Sequence, residues 1–190
     1  MADKNAIFAH VKRKIAELDA DTSKARAARA KLRRAAGKPP GTTPEVWDIT
    51  ITGAPVELDS QGGNPSREET AVHTALTLYA LHRQSKDASM STEDVSFGAA
   101  VARLRGDDNE EAIKRRFNAV ATSVDFTELA YHARGIVSLL RSKEIKLDYP
   151  RFASDLYWFQ FPEYADRVRL RWGRDFYRYD SDNDKKEGDK

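Results

Sequence analysis

The sequence predicts an all-α fold: a helical bundle in one compact domain, with room for a small second helical lobe. Three observations carry this. Apolar residues recur at three- and four-residue spacing along most of the chain. Helix starts and stops are marked by capping residues on one side and Gly or Pro on the other. No Asn-Gly hairpin turn and no sustained alternating run appears before residue 166. The length, 190 residues, suits one such domain.

Ile7, Phe8, Val11, Ile15 and Leu18 share one face, so residues about 5–18 form an amphipathic helix. Asp19–Thr22 is a capping stretch, and Ser23–Ala36 is rich in strong helix formers. Gly37 and Pro39-Pro40 end that helix. The stretch at about 41–65, rich in Gly, Pro and Thr, reads as a long loop with a short turn around Pro44–Trp47.

Ser66 and Glu69 form a capping box for a helix reaching about Arg83. That helix is apolar nearly all round, which places it at the centre of the bundle. A second loop carries Asp87–Glu93. Further helices cover Phe97–Leu104, Asn109–Thr122, Thr127–Arg141 and Arg151–Phe159. The alternation in 167–172 suits a strand. Val168, Trp172 and Phe176 at four-residue spacing favour a helix, so helix is the prediction. The helical body therefore spans 1–178, and 179–190 is an acidic tail expected to be disordered.

Charge is segregated, although it sums to only +2. Residues 1–40 hold eleven Lys/Arg against four acids, and residues 41–70 hold one Arg against six. The tail holds five acids and three lysines. Separate basic and acidic faces imply separate partners. The acidic stretch Glu45–Glu69 and the tail are expected to face solvent or a basic protein surface.

Several function classes are disfavoured. No run approaches the roughly 18 apolar residues of a membrane span. The first five residues lack the pattern of a secretory signal, and cysteine is absent, so a cytoplasmic protein is expected. The four histidines (His10, His73, His82, His132) show no ligand spacing, and no phosphate loop, dinucleotide fingerprint or serine elbow is present. The carboxylate pairs Glu68-Glu69, Asp107-Asp108 and Glu110-Glu111 fall at helix starts, where they complement the dipole. No catalytic residue, metal ligand or cofactor is expected.

Cationic stripes are the informative feature. Arg26, Arg29 and Arg33 make one column on the second helix, with Arg34 flanking it. Lys114-Arg115-Arg116 precedes Phe117, and Arg134 and Arg141 lie seven apart on the next helix. Arg167, Arg171, Arg174 and Arg178 repeat the pattern near the end. Arg predominates, and its planar fork suits phosphate. Columns stacked in a bundle could track a sugar-phosphate backbone without reading bases. The competing explanation is that some of these arginines pair with helix-start acids or lay their stems along apolar surface, Arg116 beside Phe117 among them. Two rival functions stay open: a helical scaffold docking acidic proteins, and a metal-dependent nuclease using scattered Asp and Glu.

The sequence also resembles the CasB family, the small subunit of the type I-E CRISPR surveillance complex called Cascade. The resemblance rests on Leu32-Arg33-Arg34, the central Thr74–His82 helix, Phe97-Gly98 with Leu104-Arg105, Arg115-Arg116-Phe117, and Arg169–Tyr177. These run in family order from about residue 5 to 178. The resemblance implies a non-enzymatic helical subunit, present in more than one copy, that lies along guide RNA and target DNA. It would contact the displaced strand and stabilise the R-loop without sequence preference. Implied partners are the large subunit, the repeated backbone subunit and a second copy of the chain. Implied phosphate contacts are Arg33, Arg34, Arg115, Arg116, Arg134, Arg169 and Arg174, with Arg67 a further candidate. The stripes add Arg26, Arg29, Lys114, Arg141 and Arg171.

Overall fold

In the computed structural model the backbone is described for residues 4–54, 63–106 and 108–187, and side chains as far as Arg178. The N-terminal Met1–Asp3, part of the 41–65 loop, Asp107 and the side chains of the acidic tail lie outside the described residues.

Helix α1 spans Lys4–Asp19 and α2 Ser23–Ala35, the second opened by Thr22, whose hydroxyl accepts from Ala25 N at 3.1 Å. Gly37 turns the chain with φ 86°, a conformation that favours glycine. The predicted loop then proves more structured than expected. It holds 3₁₀ turns at Pro40–Thr42 and Pro44–Val46 and a single helical turn, α3, at Trp47–Thr50. Val46 and Ile49 anchor it by entering the core, a tertiary contact that local composition does not reveal.

Helix α4 (Arg67–His82) begins with the predicted capping box: Ser66 Oγ accepts from Glu69 N at 2.9 Å, and Glu69 accepts from Ser66 N at 2.6 Å. Its buried residues cover nearly every side, and it packs against α1, α2, α7 and α8. Helices α5 (Phe97–Ala102), α6 (Glu110–Ala121), α7 (Phe126–Lys143), α8 (Tyr149–Phe159) and α9 (Pro162–Glu187) complete the order. Ser96, Asp125 and Asp148 cap α5, α7 and α8. Among the described residues the β pairing is one isolated bridge, Ser91 with Leu147.

One buried cluster runs from Ile7 to Phe176. Phe97 stacks on Phe152 at 5.0 Å and tilts against Trp172 at 4.8 Å, and Phe117 stacks on Phe176 at 4.2 Å. The 167–172 stretch is helix, as the four-residue spacing predicts: Val168, Trp172 and Phe176 face inward and are buried. At the α5–α9 crossing Gly98 lies directly on the backbone of Trp172. Buried Asp155 on α8 accepts from Trp172 Nε1 at 2.6 Å and from Arg171. This arrangement fixes which side of α9 faces out.

Candidate nucleic-acid interface

Helices α6 and α7 pack side by side. Ala112, Arg115, Arg116 and Ala119 recur at i, i+3, i+4 and i+7 on α6, and Tyr131, Arg134, Gly135 and Ser138 do so on α7. The two stripes, with His132, line a groove of about 620 Å³. The small residues leave space between the helices: a methyl group on Gly135 would meet nothing within 4 Å. Arg115, Arg116 and Arg134 are exposed along it.

Arg134 also ties this groove to the end of α2, because a methyl on Gly37 would lie 2.9 Å from its Nη1. His73 on α4 holds the same end of α2 in place, donating from Nε2 to the Lys38 carbonyl at 3.0 Å. Arg33 and Arg34 stand one turn before Gly37. Burial, and then the charges of Arg29 and Arg34, lower the Arg33 guanidinium below its ordinary value. Crowded cations of this kind favour an anion nearby.

The other predicted residues divide by what they touch. On α2, Arg26 pairs with Asp21 at 3.0 Å, Arg34 with Glu45 at 3.2 Å, and Arg29 donates to the Leu18 carbonyl. Arg67 lies 4.4 Å over the Phe161 ring. Lys114 is 3.9 Å from Glu111, and Arg141 donates to Gln84 at 2.7 Å, away from the groove. Arg169 donates to Asp166 and to the Ser123 carbonyl, both at 2.8 Å, with its guanidinium over Phe159. Arg171 bonds to Asp155 yet also lines a shallow surface on α9 with Arg167, Leu170, Arg174, Arg178 and Asp175, the last paired with Arg151 at 3.4 Å. Arg169 thus faces a different side of α9 from Arg174, as residues five apart on a helix must.

Arg116 lines the open groove and pairs with no carboxylate among the described residues, while Phe117 turns into the core. Among the described residues Arg115, Arg116, Arg134 and Arg174 have no ion pair. The acidic stretch, by contrast, supplies Glu45 to Arg34 and Asp48 to Lys31, so it pairs with two of the six cations of α2. The stripe reading did not pick out Tyr131, Gly135 or the alanines. Their signal is the shared seven-residue repeat on α6 and α7.

The histidines are held by local partners. His10 Nε2 donates to the Thr50 carbonyl at 3.0 Å, His82 Nδ1 lies 3.1 Å from Tyr149 Oη, and His132 lies 3.6 Å from Glu128. Among the described residues no group of three or more His, Asp or Glu is placed to hold a metal ion. No helix among them is long and apolar enough to cross a membrane.

Fold and site together define an all-α protein that presents unneutralised arginines along a helix–helix groove. The family model for CRISPR-associated protein Cse2 matches residues 28–177. The chain belongs to that family. It is similar to the crystal structure of CasB from Thermobifida fusca, with 34% identity and a TM-score of 0.75, covering 90% of this chain and 97% of that one. A Cse2-family protein from Thermus thermophilus is 23% identical, with a TM-score of 0.68 and coverage of 93% and 99%. A chain of a CRISPR RNA-guided surveillance complex is 18% identical, with a TM-score of 0.71 and coverage of 90% and 94%. These two lower identities speak to the fold alone. No curated protein matches the sequence.

Proposed function

We propose that this protein is a non-enzymatic subunit of a type I-E CRISPR surveillance complex, acting in the cytoplasm. It binds the nucleic-acid backbone without sequence preference and stabilises the R-loop formed by guide RNA and target DNA, including the displaced strand. It works beside the large subunit, the repeated backbone subunit and a second copy of itself. The observation that carries this reading is the meeting of Arg115, Arg116 and Arg134 on one groove, with no carboxylate among the described residues to neutralise them. Membership of the Cse2 family, and the likeness to a chain of an RNA-guided surveillance complex, support it.

The role needs no base readout, because guide pairing reads the sequence. R-loop formation is close to balanced, so modest protein contacts tip it. Three arginine–phosphate contacts at about 1 kcal/mol each amount to roughly two orders of magnitude in occupancy.

Filter binding of duplex and single-stranded DNA across a salt series tests this. Replacing Arg115, Arg116 and Arg134 together by Ala is expected to weaken binding and to reduce the duplex salt slope by about 2–3, near 0.9 per lost contact. An unchanged slope refutes the assignment. DNA cleavage in magnesium that EDTA abolishes would favour a nuclease. Binding to partner proteins that ignores added DNA would favour a protein scaffold.

A further inference from the structure

Tyr131 is the most exposed aromatic ring among the described residues, at 74%. It stands in the wall of the α6–α7 groove, one helical turn from Arg134 and facing the α6 stripe that carries Arg115 and Arg116. Its ring is braced on one edge by His132, with centroids 5.3 Å apart and planes at 70°, and His132 is in turn 3.6 Å from Glu128. The other exposed rings lie outside this groove. Trp47 donates its Nε1 to the Pro40 carbonyl at 3.0 Å, and Tyr177 sits edge-on to Phe176 at 5.0 Å. A polynucleotide needs both halves: cations for its phosphates and a flat face for a base.

We propose that Tyr131 is a stacking platform for an unpaired base, so that the α6–α7 groove holds a single strand more tightly than a duplex. This deepens the backbone-binding reading and rests on it. A duplex keeps its bases stacked inside and can offer the groove only phosphates. A single strand can turn one base onto the ring while flanking phosphates reach Arg115, Arg116 and Arg134. Gly135, Ala112 and Ala119 leave the floor free, and a groove of about 620 Å³ is within the usual range for sites of this ligand size. Stacking is indifferent to base identity, which suits a protein that leaves sequence to the guide.

The test compares Tyr131→Ala, Tyr131→Phe and the parent protein on four polymers: a dT 20-mer, an rU 20-mer, a duplex of the same length and an abasic 20-mer with intact phosphates. Stacking predicts that Tyr131→Ala weakens dT or rU binding about tenfold, leaves the abasic polymer and duplex unchanged, and that Tyr131→Phe behaves as the parent. The polymer losing more identifies the bound strand as DNA or RNA. Equal losses on all four polymers, no loss on any, or a Phe variant as weak as the Ala variant overturns the proposal. The arginine triple variant separates the two readings. If it loses affinity while Tyr131→Ala does not, stacking alone fails; if neither variant changes anything, backbone binding at this groove fails as well.

Discussion

Replacing Gly98 by Ala tests the packing that orients α9. An added methyl would overlap the Trp172 carbonyl oxygen and lie 2.9 and 3.0 Å from the carbonyl carbon and Cα of Trp172. These are backbone atoms, so no side chain can swing away. Carbon contacts settle near 3.5–4.0 Å, so α5 must withdraw from α9 by roughly 1 Å. A gap of that size forfeits about a quarter to a half of each contact it opens. Phe97, Val101 and Trp172 are fully buried across this crossing, and at roughly 2–3 kcal/mol each the loss is about 1.5–4.5 kcal/mol. In a chain of this size that lowers Tm by roughly 3–18 °C. Gly173 is the control, one residue beyond Trp172 on the same helix, where a methyl meets nothing within 4 Å. Gly173→Ala should gain about 0.5–1 kcal/mol from helix propensity alone. Thermal and urea unfolding followed by circular dichroism measures both. If Gly98→Ala is as stable as the parent, the close approach of α5 to α9 is wrong.

Asp155→Ala removes the acceptor of the buried Trp172 Nε1, while half-exposed Arg171 turns to water, and should cost about 1–3 kcal/mol in urea unfolding. His82 is pushed down to about 4, first by burial and also by Arg141 and Lys86, against the raising effect of the Leu140 and Ile145 carbonyls. A histidine held neutral in the fold binds its proton only in the unfolded chain between pH ~6.5 and about 4. Stability is therefore full above that window and falls through it by up to about 3 kcal/mol. His10 and His73 are lowered too, mainly by burial, and act in the same direction. His82→Gln should flatten the pH profile of the urea midpoint, and an unaltered profile would assign the effect to other groups. Arg33→Ala with Arg34→Ala should weaken DNA binding while leaving helical content intact. The loss should be smaller than for the groove triple variant, because Arg34 already has Glu45; a larger loss would make the end of α2 the main contact.

The elements were legible because their signals are local. The Ser66–Glu69 box, the Gly37–Pro40 stop and the inward spacing of Val168, Trp172 and Phe176 each act within a few residues. The buried placement of Val46 and Ile49 was not legible, since it depends on a core assembled from distant helices. The site was half legible for the same reason. Arg115 and Arg116 stand out in the chain, yet only the packing of α6 on α7 brings them to Arg134. Arg169 and Arg174 look alike in sequence, but five residues of helical rotation send one to the Ser123 carbonyl and the other to solvent. The ring of Tyr131 could not be told from a core aromatic until its surroundings were known.

Like charges left unbalanced on the α6–α7 groove make the free protein work against itself, because Arg115, Arg116 and Arg134 repel one another with no anion between them among the described residues. Added electrolyte screens that repulsion, so the isolated chain should melt higher in concentrated salt than in dilute buffer. The same ions loosen its hold on a polyanion. Robustness alone and grip on a ligand thus run in opposite directions along a single experimental axis.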